Sequence, residues 1–352
     1  MRIAPFLALA CSSLGLACSS KDAPPSAGSA AGSAATAGSG EGDGAEFVKV
    51  ARDALVGHRA PAATLEMLDG SKVDLAKDLG HRPIYLKFWA TWCVPCREQM
   101  PHLESTFRAH GDKLAVYAID VGIDDPIENV RDFVAKKQLA VPVAIDRDGG
   151  IAELFHLNVT PQHVLIDRTG VVRFVGHAVT PELEKMLAAI VSGDAAGGNA
   201  AGAGDAAPLV AASAPPPLAF DDGGKLELPL QAPIALTFAT LFCDSYIAES
   251  RPAIGAACAA HAREVEKQHR AHPGLRWVAV AFPVWTSNDD IADYRKRLGV
   301  TVPIAIDHGN AWFRRFGARD SYTTVLLDAS GAELGRTSGD GAGLAALLAK
   351  AP

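Results

Sequence analysis

Short apolar stretches of strand length alternate with amphipathic patterns over the first half of the chain. The predicted strands cover residues 84–90, 114–120, 141–146, 163–167 and 171–178. Between and after them, residues 96–110, 128–138 and 181–191 carry apolar side chains at spacings of three and four, which is typical of amphipathic helices. Strands that alternate with helices predict an α/β sheet.

The second half of the chain repeats this order. Three segments have counterparts further along: 141–146 with 302–307, 159–167 with 320–328, and the stretch ending at Cys93 with the one ending at Cys243. The first two pairs share one offset along the chain, and the third pair has a slightly shorter one. We therefore predict an α/β protein with two tandem domains of one fold, each with a mixed central sheet flanked by helices.

Two stretches of small residues divide the chain. Residues 19–45 are almost all Ala, Gly, Ser, Pro and Thr, and residues 192–217 form a second Ala/Gly/Pro-rich stretch. Such compositions cannot bury a core, so we interpret the first as a flexible tether and the second as a linker. The domains are then predicted at 46–191 and 218–352, after a signal at 1–18.

The amino terminus predicts export. Arg2 precedes a mainly apolar run from Ile3 to Leu16, which is shorter than the ~20 apolar residues needed to span a bilayer. The segment resembles a bacterial lipoprotein signal, which implies lipidation of Cys18, although Cys11 is an alternative acceptor. We expect a chain anchored by an N-terminal lipid to the membrane of the cell envelope, facing the periplasm or the exterior.

Composition narrows the function further. The chain of 352 residues is 49% hydrophobic and 21% charged, as in an ordinary globular protein. Its formal net charge of −7 argues against a nucleic-acid partner, because such proteins need a basic surface. Six cysteines are too few for a disulfide-stapled scaffold of this length, so each must be interpreted by its position.

The candidate chemistry lies at Cys93 and Cys96. This Cys-Val-Pro-Cys follows a predicted strand and begins a helix, where the helix dipole favours the thiolate of Cys93. Pro95 is compatible with a first helical turn and stiffens it. A zinc site is the alternative, but a structural zinc needs four ligands and no second pair follows in this domain. We predict a redox dithiol, with no metal and no cofactor.

The residues FWATWCVPC, followed by REQMP and later by VTP before a strand, resemble the thioredoxin-like superfamily and most closely its membrane-tethered TlpA/ResA branch. The resemblance spans roughly Ala60 to Ile190. It includes an N-terminal hairpin at 60–80 and an insertion at 120–140.

The resemblance implies a role for each matching residue. Cys93 would be the exposed attacking sulfur, and Cys96 the buried sulfur that resolves the mixed disulfide and pairs with Cys93. Trp92 would shield the pair. Pro161 would be a cis proline facing the disulfide, and Thr160 would form part of the groove that binds clients.

Two positions depart from the family pattern. Thioredoxin has a buried Asp as proton carrier where this chain has Lys87, and ResA-like members have a Glu where this chain has Ile123. Asp124 or Asp125 could substitute, or both could cap the helix expected near Pro126. The sequence leaves the proton carrier unassigned.

The second domain lacks the exchange motif. Cys243 is retained, but Tyr246 and Tyr322 stand where the first domain has Cys96 and Pro161. If 244–269 is one helix, Cys258 lies about 20 Å away, beyond disulfide reach. We interpret Cys243 as structural and the domain as a client-docking module; a single-cysteine peroxidase site is the alternative.

These inferences converge on an extracytoplasmic thiol:disulfide oxidoreductase. Resemblance to the TlpA/ResA branch implies reduction of clients such as apocytochrome c or copper-site assembly proteins, that is, a role in cytochrome c biogenesis, with a membrane thiol donor. A tethered scaffold protein and a disulfide-forming oxidase are the alternative functions.

Overall fold

A computed structural model describes residues 43–194, 215–220 and 223–351. The predicted signal, nearly all of the tether and most of the linker lie outside these ranges. The strands of the first domain are β1 (Thr64–Glu66), β2 (Lys72–Asp74), β3 (Ile84–Trp89), β4 (Ala115–Asp120), β5 (Val143–Ile145), β6 (Gln162–Ile166) and β7 (Val172–Gly176). Its helices are α1 (Asp43–Leu55), α2 (Val94–Glu98), α3 (Met100–His110), α4 (Ile127–Lys137), α5 (Gly150–Leu154) and α6 (Pro181–Ser192).

The first domain is built on a five-stranded mixed sheet in the order β5-β4-β3-β6-β7. Strands β3, β4 and β5 are parallel, whereas β6 and β7 are antiparallel to their neighbours. All six residues of β3 are buried, as expected for a central strand covered on both faces. The strands β1 and β2 form the separate hairpin expected near the start of the domain.

The second domain repeats this topology. Its strands are β8 (Leu218–Ala219), β9 (Lys225–Leu226), β10 (Ile234–Ala239), β11 (Arg276–Ala281), β12 (Ile304–Ile306), β13 (Thr323–Leu327) and β14 (Glu333–Ser338). Its helices are α7 (Ala248–Ser250), α8 (Pro252–Ala271), α9 (Asn288–Leu298), α10 (Ala311–Phe316) and α11 (Leu344–Leu348). The sheet order β12-β11-β10-β13-β14, with the same strand directions, confirms the prediction of two domains of one fold.

The duplication extends to local detail. We call two positions equivalent when they are related by the offset that separates Val141 from Val302. The β6–β7 ladder shifts register after Leu165, and the β13–β14 ladder shifts after the equivalent Leu326. An antiparallel bridge joins the first hairpin to Ala144, and a bridge of the same kind joins the second hairpin to the equivalent Ala305. Each hairpin therefore closes on the same strand of its sheet.

The helices of the first domain differ from the prediction in two places. Residues 96–110 form two helices rather than one, because Pro101 in the first turn of α3 has no N–H to continue the ladder from α2. The helix α1 was not predicted; its buried side chains include Val48 and Ala51.

Residues 244–269 do not form one continuous helix. A π-helical turn at Cys243–Ile247 leads into α7, and the chain then breaks at Arg251, which has φ −140° and ψ 71°. Arg251 precedes Pro252, and the residue before a proline is disfavoured in helical conformation. The break lets α8 fold back against the turn that carries Cys243.

None of the helices within the described ranges is both long enough and apolar enough to cross a membrane. One cluster of buried apolar side chains runs from the first domain into the second, and a smaller cluster lies within the second domain.

Candidate functional site

The candidate site lies at one edge of the first sheet. Trp89 at the end of β3 lies opposite Asp120 at the end of the parallel strand β4. Phe88 lies opposite Gln162, the first residue of the antiparallel strand β6. The segments 90–96, 121–126 and 158–161 therefore leave the sheet at the same edge, which we call the redox face.

Cys93 and Cys96 form a disulfide on this face, with their Cα atoms 5.2 Å apart. Cys93 is the N-cap of α2, and its sulfur accepts a hydrogen bond from the Cys96 N–H at 3.2 Å. Pro95 lies in the first turn, where its missing N–H has no helical partner to lose. A thiolate released at Cys93 would lie at the positive end of the helix dipole.

The neighbouring residues predicted for the site lie on the same face. Trp92 is buried, and its indole N–H donates to the carbonyl of Ile123 at 2.8 Å, which links the disulfide segment to the insertion. The peptide bond between Thr160 and Pro161 is cis. Thr160 and Pro161 directly precede β6, so they lie beside the end of β3 that leads to Cys93.

Lys87 contacts the backbone of Cys96. Its side chain is fully buried, and its Nζ donates to the carbonyl of Cys96 at 3.4 Å. Burial lowers the pKa of Lys87 to about 7, because the interior disfavours the ammonium form. His163, the cross-strand neighbour of Lys87, is held by Tyr85 and Gln99, each at 2.7 Å. A group that can hold or release a proton near neutral pH therefore sits under Cys96.

Three carboxylates lie at the end of β4 and in the segment that follows it. Burial raises the pKa of Asp120 well above its ordinary value, and it raises the pKa of Asp124 to about 6. Asp125 accepts hydrogen bonds from the Thr91 N–H at 2.5 Å and the Thr91 hydroxyl at 2.6 Å. The helix α4 has Pro126 as its N-cap residue, without a side-chain cap. Asp124 and Asp125 therefore bind other segments instead of capping this helix.

The second domain covers the redox face. The Val94 N–H donates to the hydroxyl of Tyr246 at 2.8 Å, and the indole N–H of Trp285 donates to the carbonyl of Thr160 at 2.9 Å. Cys93 is 1% exposed and Cys96 is 0% exposed. The expectation of an exposed sulfur at Cys93 is therefore wrong for this conformation, because a second domain lies where a client would approach.

Arg251 also connects the second domain to the redox face of the first. Its guanidinium donates to Asp125 at 3.0 Å, to the carbonyl of Asp124 at 2.9 Å and to the Thr91 hydroxyl. Neither Arg251 nor Trp285 was identified from the sequence as a residue of this site. The internal repeat contained a signal for Trp285, since it is equivalent to Asp124 and lies in the matching loop of the second domain.

Cys243 and Cys258 form a second disulfide, with Cα atoms 6.1 Å apart. The prediction that Cys258 lies beyond reach is wrong, because the break at Arg251 reverses the chain between them. Cys243 is fully buried and Cys258 is 6% exposed. Cys243 is thus not the free thiol that a single-cysteine peroxidase requires.

Comparison with known proteins places the similarity in the first domain. Residues 55–190 match the Redoxin family model. The thiol-disulfide oxidoreductase ResA of Bacillus cereus is 33% identical over 134 residues, covering 38% of this chain and 76% of the relative. The thioredoxin-like protein YneN of Bacillus subtilis is 35% identical over 134 residues, covering 37% of this chain and 78% of the relative.

A solved structure also matches part of this chain. It is a secreted Mycobacterium tuberculosis disulfide oxidoreductase homologous to Escherichia coli DsbE, with 27% identity and a TM-score of 0.33. The match covers 36% of this chain and 95% of that chain.

Proposed function

Since this chain belongs to the ResA/TlpA family of thioredoxin-like thiol-disulfide oxidoreductases, we propose that it reduces client protein disulfides through Cys93 and Cys96. The observation that carries this proposal is the disulfide between these two residues at the N-terminus of α2. It is the oxidised form of a dithiol whose first sulfur gains stabilisation as a thiolate from the helix.

The exchange proceeds in two steps. The Cys93 thiolate attacks one sulfur of a client disulfide, which forms a mixed disulfide and releases one client thiolate. Cys96, once deprotonated, attacks the Cys93 sulfur and releases the second client thiolate. The client gains two electrons and the enzyme is left with the Cys93–Cys96 disulfide. A dithiol donor must then reduce the enzyme again.

Lys87 is the proton acceptor for Cys96 in this scheme. A buried thiol attacks only after losing its proton, and Lys87 lies beside the Cys96 backbone with its pKa lowered to about 7 by burial. A neutral amine at this position can accept the Cys96 proton at neutral pH. Asp124 and Asp125 are engaged by Ser321, Thr91 and Arg251, so they are less suited to this role.

The location of the enzyme is part of the proposal. The signal-like residues 1–18 support export, and Cys18 is proposed as the lipid attachment site, with Cys11 as the alternative. Both cysteines lie outside the described residues. Cys18→Ser should release the protein from membranes on fractionation. Release by Cys11→Ser alone would instead identify Cys11 as the acceptor.

The direction of electron flow is proposed as reduction, with exported client proteins and a membrane thiol donor as partners; apocytochrome c and copper-site assembly proteins fit this description. Equilibration with glutathione buffers, followed by differential alkylation and mass spectrometry of the peptide carrying Cys93 and Cys96, measures the reduction potential. A value near that of thioredoxin, about −270 mV, supports a reductase. A value near that of DsbA, about −120 mV, would assign the protein as an oxidase.

A further inference from the structure

Equivalent loops of the two domains contact each other. The loop that donates a backbone hydrogen bond in one contact has an equivalent in the other domain that donates in the second contact. The Asp124 N–H donates to the carbonyl of Arg319 at 3.0 Å, and the Trp285 N–H donates to the carbonyl of Asn158 at 3.0 Å. Trp285 is the equivalent of Asp124 in the second domain, and Arg319 is the equivalent of Asn158. This reciprocity is the property of an isologous interface, in which one surface patch binds its own copy.

Side chains extend the same relation. Asp124 accepts from the Ser321 N–H at 2.8 Å and from the Ser321 hydroxyl, while Trp285 donates to Thr160, the counterpart of Ser321. Asp124 and Trp285 share a left-handed backbone, with φ 49° and 53°. Their loops are thus bent alike, so that each reaches the segment that precedes an antiparallel strand of the other domain.

The patch that each domain uses is its redox face or the remnant of it. The rings of Trp92 and Phe242, the residues directly before Cys93 and Cys243, lie 5.6 Å apart. Tyr246, in the place of Cys96, binds the Val94 N–H. We name the surface formed by Phe242, Tyr246, Arg251, Trp285 and Ser321 the capping face.

We propose that the capping face is an interaction surface for the redox face of the same chain, and that it competes with client proteins for that face. The proposal rests on the exchange function of Cys93 and concerns its regulation. Cys93 at 1% exposure and Thr160 at 0% leave no room for a client polypeptide while the two domains are closed. A client therefore reacts only with the open form, and its apparent affinity falls with the fraction of molecules that are open.

The chemistry of the contact permits opening. Hydrogen bonds and ion pairs form part of it, beside the apolar cluster that continues across both domains, and water replaces the hydrogen bonds when the domains separate. Arg251 and Asp125, whose side chains are 16% and 0% exposed, regain their hydration on opening, which offsets the loss of their mutual attraction. Because both faces belong to one chain, even a weak contact holds the resting form closed.

An ion pair at the border of the interface offers a test outside the catalytic residues. Arg314 pairs with Glu153, and the two positions are equivalent in the two domains. Their side chains are 21% and 33% exposed, so substitutions there should not unfold the protein. Arg314→Glu places two carboxylates against each other and should favour the open form. The double variant Glu153→Arg with Arg314→Glu restores an opposite-charge pair and is the matched control.

The measurement is the initial rate of insulin reduction by the full chain, with dithiothreitol as the electron donor. Arg314→Glu should raise kcat/KM by roughly three- to tenfold, as expected for the loss of a surface pair and the added repulsion. The double variant should return to the parent rate. Equal rates in all three proteins, or an increase that the double variant keeps, would overturn the proposal.

A second substitution separates this proposal from the function on which it rests. Cys93→Ala, introduced into the parent and into the Arg314→Glu variant, should lower the rate of insulin reduction in both to that of dithiothreitol alone. If the rate depends on Cys93 but not on the charge at 314, only the capping proposal fails. If insulin reduction stays faster than with dithiothreitol alone in the absence of Cys93, the exchange function itself fails.

Discussion

The hydroxyl of Tyr246 accepts a hydrogen bond from the backbone N–H of Val94 at 2.8 Å, although Tyr246 occupies in the second domain the place that Cys96 occupies in the first. The substitution that removed the resolving sulfur from one domain thus supplies a contact to the active-site helix of the other. Loss of chemistry and gain of a domain contact coincide at one residue.

Tyr246→Phe should raise the rate at which clients reach Cys93. The variant leaves the Val94 N–H without its acceptor in the closed form, and one hydrogen bond contributes about 1 kcal/mol, which corresponds to roughly a fivefold shift toward the open form. Alkylation of reduced Cys93 by iodoacetamide, followed by mass spectrometry, measures this access. Tyr117→Phe is the control, because it removes a hydrogen bond to Asp78 within the first domain. Equal alkylation rates in parent and Tyr246→Phe would contradict the expectation.

Lys87→Met should change how stability depends on pH. With its pKa lowered to about 7 by burial, Lys87 is neutral in the folded protein above that pH, yet it stays protonated in the unfolded chain up to its ordinary pKa of 10.5. The unfolded state therefore binds more protons between about pH 7 and 10.5, so Lys87 makes the folded protein more stable as pH rises through this window.

The size of this effect follows from the same shift. One pKa unit corresponds to about 1.4 kcal/mol. At pH 6 the buried, protonated Lys87 should therefore lower the unfolding free energy of the protein by on the order of 4 to 5 kcal/mol. Urea unfolding of the oxidised proteins should show Lys87→Met gaining stability over the parent at pH 6 and little at pH 10. If the difference in unfolding free energy between the two proteins stayed constant with pH, burial would not lower the pKa of Lys87.

The same variant tests proton transfer. In the parent, resolution of the mixed disulfide should accelerate as pH rises through about 7, where Lys87 becomes neutral. In Lys87→Met the rise should move toward the ordinary thiol pKa, about 8.5. At pH 7 the loss should be on the order of a hundredfold, the lower end for a positioned general base. Rapid-mixing kinetics of mixed-disulfide decay check this; an unchanged pH profile would exclude Lys87 as the proton acceptor.

The Cys243–Cys258 disulfide should be structural. Removing it as Cys243→Ala with Cys258→Ala opens a loop of about 15 residues, which should cost roughly 3 kcal/mol of unfolding free energy. Insulin reduction by the folded double variant should not fall below the parent rate, because Cys93 and Cys96 carry out the exchange. Loss of turnover in a variant that still folds would mean that electrons pass through both disulfides.

The strands and the Cys93–Cys96 pair could be predicted from the sequence, whereas the contacts between the domains could not. Strands such as β3 and β4 were predicted to within one residue, because their buried apolar runs are bounded by turns. The pairing of Cys93 with Cys96 needs only one helical turn. The second disulfide could not be predicted from the apolar spacing of residues 244–269, because Pro252 disfavours a helical conformation at Arg251 and interrupts the helix there.

The closed arrangement had no local signal. The partners of these contacts are far apart in the sequence. Tyr246 lies 152 positions from Val94, Arg251 lies 126 positions from Asp125, and Trp285 lies 125 positions from Thr160. None of these side chains specifies by its type which distant residue it contacts, so only the folded chain identifies their partners. Lys87 was recognised as a departure from the family pattern, but its low pKa depends on burial by the complete domain.

The mechanism depends most on the division of labour between Cys93 and Cys96, and trapping measures it directly. Reduced Cys96→Ala protein, incubated with insulin whose disulfides are intact, should accumulate a mixed disulfide that mass spectrometry maps to Cys93. Cys93 can still attack an insulin disulfide, but no Cys96 sulfur is present to resolve the product. Cys93→Ala should form no such adduct and should lose turnover. Turnover in Cys96→Ala without any adduct at Cys93, or an adduct mapped to Cys243 or Cys258, would contradict the proposed mechanism.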